Sequence, residues 1–286
     1  MTLRNPHPAL LGKSGNLRFC AIAESSIVEL SNWIFNRLVL QHSELFPMDY
    51  DIEQRPYGAI IDHLPTLPID AKDKMMEALL GCLDELCGDK RVQWAKNNGG
   101  HFLIYTVGRA FEGVNSLPCE SALQRLALGA GESPAQCADA ANSLVLMGAR
   151  LPASFWSQIY QSAPRFLKDR LGAIALGGLS NIGFESVILW MQSHNISSKS
   201  IEAVIAPILI TALRQDGSDI KVLGILERHS QNLSLEHKQI LDQAARDIEH
   251  PGIIPPKWDT NAPAISSRPA KINTGSPFWV NLPATA

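Results

Sequence analysis

Two ten-residue stretches of this chain echo each other at an offset of 37 residues. Ile188 to Ser197 reads ILWMQSHNIS, and Ile225 to Ser234 reads ILERHSQNLS. Five of the ten positions are identical, and a sixth pairs Ile196 with Leu233. Each copy closes one apolar helical stretch, turns through Ser and Asn, and opens the next. A period of roughly 35–45 residues is the mark of stacked helix pairs. The echo therefore constrains architecture before any chemistry is considered.

The rest of the chain reads as helix from its spacing. Ile27, Leu30, Ile34, Leu38 and Leu45 predict one long amphipathic helix over 24–45. Asp70 is an expected N-cap for a helix over 71–87, with Met75, Leu79, Leu83 and Leu86 on one face. A short segment at 91–96 ends in Asn97-Asn98-Gly99-Gly100. His101 to Val107 has the β-branched and aromatic content of a strand. A lone strand cannot satisfy its backbone, so helix is the expectation there, with strand as the alternative.

From Pro118 onward the punctuation is that of helix ends. Ser133-Pro134-Ala135-Gln136 predicts a capping-box start, and Gly148 a stop. Further helices are expected over 152–161, 164–176, 181–193, 198–215, 218–230 and 234–249. Leu176-Gly177-Gly178-Leu179 and Gly129-Ala130-Gly131 are read as helix ends rather than phosphate loops. Links of roughly 2–5 residues make consecutive helices antiparallel neighbours. Pro207 removes one backbone hydrogen bond from its helix and predicts a kink.

The echo and the internal proline resemble HEAT and armadillo helical repeats over residues 134–249. That resemblance implies an α-solenoid that serves as a protein scaffold, with no catalytic residues to carry over. The family's Asp and Arg ladder is not evident, which leaves a non-repetitive helical bundle open. The expected fold is all-α, with a lead-in over 1–23, a helical domain over 24–249 and a Pro-rich extended tail over 250–286. A sub-boundary is expected near 97–100 or 115–118.

Composition and charge narrow the function classes. Net charge is −3, with 25 Lys and Arg against 28 Asp and Glu, interspersed without long like-charge runs. No strongly positive field for nucleic acid and no polybasic membrane anchor is expected. Leu171 to Met191 and Ala203 to Leu213 do not meet the span of about 20 apolar residues that a membrane helix needs. The first twenty residues lack a signal-peptide core, so a cytoplasmic protein is expected. Cys20, Cys82, Cys87, Cys119 and Cys137 have neither disulfide-framework nor zinc spacing. The sequons at Asn195 and Asn232 read as turns with a capping Ser.

No catalytic motif emerges, and no cofactor or metal is expected. The row Asp49, Asp51, Glu53 fails the calcium-loop pattern at Gln54 and Ile60. His229 and His237 lack a placed carboxylate or thiol partner. The remaining candidates are aromatic: Trp156, Tyr160 and Trp190 in the repeat region, and Trp258, Phe278 and Trp279 in the tail. Each is either core or an anchor for a partner. The expected function is a non-enzymatic interaction protein that binds another protein or a copy of itself. The alternative is a HEAT-like protein that cradles nucleic acid, even acting on damaged bases, through Arg165, Lys168, Arg170, Lys199, Arg214 and Lys221. The tail aromatics are expected to pack on the helical stack or on a partner chain.

Overall fold

The structure is a computed structural model, and it describes residues 18–35, 38, 56–87, 100–129, 133–216 and 219–248. All regular elements among the described residues are helical. The chain divides into two compact units, Met1–Gly148 and Ala149–Ala286. The acidic row at 49–53, the segment at 91–96 and the tail from 250 lie outside the described residues.

In the first unit, α1 (Phe19–Glu24) is helical where an irregular lead-in was expected, and α2 (Ile27–Phe35) falls within the helix expected over 24–45 but starts three residues later. The reason is local. Ser26 and Glu29 form a reciprocal capping box, Glu29 N to Ser26 Oγ at 3.2 Å and Ser26 N to Glu29 Oε2 at 2.8 Å. Ser25 turns its hydroxyl back to Ala21 O at 2.7 Å. A new helix start therefore outcompetes continuation.

Next come α3 (Pro56–His63) and α4 (Ile69–Cys87), which buries Met75, Leu79, Leu83 and Leu86 as the spacing predicted. Asp70 is not the N-cap; it stands in the first turn of a helix that begins at Ile69. The 100–110 stretch is helical, α5 (Gly100–Ala110), with Leu103, Ile104 and Val107 inside. It is followed by α6 (Leu117–Leu128) and α7 (Pro134–Met147). Gly148 ends α7 at φ 79°, the left-handed conformation only glycine adopts cheaply, and its N–H meets the carbonyls of Leu144 and Val145.

The expected capping box at Ser133 does not form, because Ser133 makes no side-chain cap bond. Gln136 turns inward instead and lies against Gly100, where no Cβ stands in its way. It is 1% exposed, and neither amide atom has a partner among the described residues. Helix α2 packs on α4, α4 on α5 and α6, and both α5 and α6 on α7. The α5–α7 seam is close: a methyl at Gly108 would lie 2.7 Å from Ser143 Cβ, and Ser143 Oγ is 3.1 Å from Ile104 O.

The second unit holds α8 (Ala153–Ser162), a 3-10 turn at Arg165–Leu167, α9 (Lys168–Ser180) and α10 (Phe184–Ser193). It continues through α11 (Ser198–Asp216), α12 (Asp219–His229), a 3-10 turn at Ser230–Asn232 and α13 (Leu235–Asp247). Helix α11 passes through Pro207 as one element, and the Pro207 carbonyl accepts from Thr211 Oγ1 at 2.8 Å.

In this unit helices pack on their chain neighbours, α8 on α9, α9 on α10 and α11 on α12, and also one helix further on: α9 lies on α11, α11 on α13, and α10 on α12. Paired contacts show α9 and α11 running in the same direction. Asp169 meets Ser197 at 2.6 Å, and three residues on, a methyl at Gly172 would lie 2.7 Å from Ser200 Oγ.

Gly177 and Gly178 do not end a helix. Both are buried inside α9, and Gly178 is the floor on which the Trp156 indole lies. The glycine is selected here by close packing rather than by a left-handed turn.

Candidate functional site

The sequence-predicted aromatics of the second unit gather around the turn that ends the first echo copy. Trp190, in the last turn of α10, is 2% exposed and donates from Nε1 to Ser157 Oγ at 2.9 Å. Its ring stacks on His194 at 4.4 Å between centroids and meets Tyr160 edge-on at 5.3 Å. Tyr160 donates its hydroxyl to Asn195 O at 2.8 Å. Burial, then the nearby Asp169 carboxylate, pushes the Tyr160 phenol above its ordinary pKa.

Lys168 completes this face. Its ammonium lies 4.5 Å from the Tyr160 ring centre and donates to the carbonyls of Tyr160 and Gln161. On the other side of the turn, His237 of α13 donates from Nε2 to Ile196 O at 3.3 Å, which places the ring proton on that nitrogen. The turn at 194–197 is thus held from both flanks, by Tyr160 of the preceding helix pair and His237 of the following one.

The echo has a geometric counterpart. Ser197 Oγ accepts from Ser200 N at 3.3 Å, and Ser234 Oγ accepts from His237 N at 3.1 Å, the same cap three residues into each helix. Gln192 Nε2 donates to His229 O at 2.7 Å, linking the fifth residues of the two copies. Beside them Glu185 Oε1 meets His229 Nε2 and Arg228 Nη1, each at 2.9 Å. The His229 hydrogen bond, aided by Arg228, holds the Glu185 carboxyl below its ordinary pKa.

Trp156 is fully buried in α8, edge-on to Phe155 at 5.2 Å, and its indole Nε1 has no partner among the described residues. Trp156 and Trp190 are therefore core side chains with no surface to offer a partner. Tyr160, partly exposed, stands at the edge of the cluster. Trp258, Phe278 and Trp279 lie outside the described residues. Sequence reasoning missed His194, which left a signal only in standing four residues after Trp190 at helical spacing, and it gave Lys168 and His237 other roles, one as a nucleic-acid cation and one as half of a His pair.

A second feature is a pocket of about 430 Å³ lined by Arg150, Ser180, Ile182, Gly183, Phe184, Ile208 and Ala212. Arg150 is exposed and anchored by Nε to Asn181 O at 3.1 Å. Among the described residues no group of His, Cys, Asp and Glu is assembled to hold a metal ion, and no helix is long and apolar enough to cross a membrane. No known protein family, curated protein or solved structure matches the chain.

Proposed function

We propose that this chain is a non-enzymatic interaction scaffold whose helices within residues 134–249 form a short HEAT-like α-solenoid. The observation that carries the reading is the skip-one helix packing, with equivalent capping serines at Ser197 and Ser234. In such a stack each helix pair buries its apolar face on its neighbours, and the outer surface is left to partners. Helix α13 supports the reading further. It buries Ile240, Leu241, Ala244 and Ala245 on one side and exposes Arg246, paired with Asp242, on the other, as a helix with one face in a stack does. The partner is another protein or a second copy of this chain, met on the outer face of α10, where Leu189 is 47% exposed.

Of the cations in the nucleic-acid alternative, Lys168 is turned onto Tyr160, while Arg165, Lys199, Arg214 and Lys221 are exposed. The test is capture of tagged full-length protein from its native host, with quantitative mass spectrometry, beside the Leu189→Asp variant. A stoichiometric protein partner lost in the variant supports the proposal. Recovery of nucleic acid, with binding that falls steeply in salt, would replace it with the alternative.

A further inference from the structure

The pocket beside Arg150 sits at a defined level of the second unit. Gly172 faces Ser200 across the α9–α11 seam, so Ser180 and Ile208, each eight residues further on, stand level. Ser198 meets Glu236 across the α11–α13 seam, so Arg246, ten residues along, stands level with Ile208. The chain therefore leaves α13 after Ile248 at the same end of the stack as the pocket. The intervening distance is one to two interhelical spacings, about 10–20 Å.

Trp258 follows Ile248 by ten residues, a reach of about 33 Å when extended. Pro251, Pro255 and Pro256 favour an extended path for that segment. The occupant's chemistry also fits. Ile182, exposed on the surface, supplies an apolar wall beside Arg150, while Phe184, Ile208 and Ala212 line the pocket as buried side chains. The Arg150 guanidinium, fixed through Nε, makes no other bond among the described residues. Its flat face suits an indole and its free nitrogens suit a carboxylate. Asp259, next to Trp258, carries the sole acidic side chain from His250 to Ala286.

We infer that the Trp258-Asp259 segment of the same chain docks in this pocket, with the indole against Ile182 and the Asp259 carboxylate on Arg150. The inference does not rest on the scaffold reading, because it concerns a contact within one chain. Docking would also keep Trp258 from serving as a free anchor for a partner.

The test uses the full chain with a photo-crosslinking benzophenone amino acid in place of Trp258. Cross-linked peptides are mapped by mass spectrometry in the monomer fraction. The expected result is a bond within one chain to the peptides bearing Ile182–Phe184 or Ile208–Ala212, reduced at least fivefold by Arg150→Glu and restored by adding Asp259→Arg. Cross-links elsewhere, no cross-links in the monomer, or cross-links found only in a dimer fraction would each overturn the inference. The last outcome would assign the pocket to the tail of a second copy. Urea unfolding of the Arg150→Glu chain, expected to stay cooperative, separates loss of docking from loss of fold.

Discussion

Replacing Gly178 with Ala adds one methyl group to the second unit, and its effect can be worked from the packing. The new Cβ would overlap Trp156 Cζ2 and Cε2 and lie 2.5 Å from Cη2. Trp156 is 0% exposed, so the rigid indole must move by about 1 Å or more into neighbours already in contact. Overpacking of this kind costs about 1–3 kcal/mol. Ala is the better helix former by about 1 kcal/mol, which offsets part of the loss. Three overlapped ring atoms put the clash at the upper end, leaving a net destabilisation of about 2 kcal/mol, or roughly 4–8 °C in Tm.

The assay is urea and thermal unfolding followed by far-UV circular dichroism. The control is Gly224→Ala in α12, where nothing stands within 4 Å and a gain of about 0.5–1 kcal/mol is expected. Gly178→Ala combined with Trp156→Phe should lose less than the sum of the two single changes, because the smaller ring clears the overlap. It also removes the indole N–H, which has no partner among the described residues. A Gly178→Ala protein at least as stable as the parent, or strict additivity in the double variant, refutes the reasoning.

Three further outcomes are expected. Ser234→Ala should cost about 1 kcal/mol as a lost N-cap. Ser197→Ala should cost more, because Ser197 Oγ also donates to Asp169 at 2.6 Å; equal losses in urea midpoint would contradict this. Glu185 has a folded pKa below its usual 4.5, so its contribution to stability is fully present above that value and is lost as pH falls through the lowered one. Glu185→Gln should therefore flatten the acid limb of a stability–pH curve below about pH 4.5, and an unchanged limb would count against the His229 contact. Burial, with smaller contributions from Asp84 and Glu120, pushes the Cys119 thiol up to about 12. In native protein at pH 8, iodoacetamide mapped by mass spectrometry should spare Cys119 until unfolding, while the exposed Cys20 reacts. Equal rates at the two sites would show that the Cys119 site opens to solvent.

Helix content was readable because it rests on local chemistry. The apolar faces at Met75, Leu79, Leu83 and Leu86, the stop at Gly148 and the cap at Ser234 each involve residues within one or two turns. Errors fell where two local options compete or where a distant side chain intervenes. Ser26 and Glu29 carried a capping box at the head of the apolar spacing that opens with Ile27, so the helix expected from Glu24 starts there instead. Ser133 and Gln136 carried the letters of a capping box, but Gln136 was drawn inward against Gly100. The candidate site was less legible still. Trp156, Tyr160 and Trp190 were conspicuous as aromatics, yet nothing local distinguishes a core tryptophan from an exposed anchor.

What the sequence determined by itself is a chain of short, capped helices with an echo of 37 residues in its second half. Periodicity and capping act over a few residues, so they survive without knowledge of any neighbour. What only the tertiary structure decided is which helix lies on which. It also decided that Gly178 makes room for Trp156, and that Tyr160 and His237 close on one turn from residues 35 and 41 positions away. Those choices depend on side-chain shape and hydrogen bonding across the packed seams, where contacts between residues far apart in the chain set the outcome.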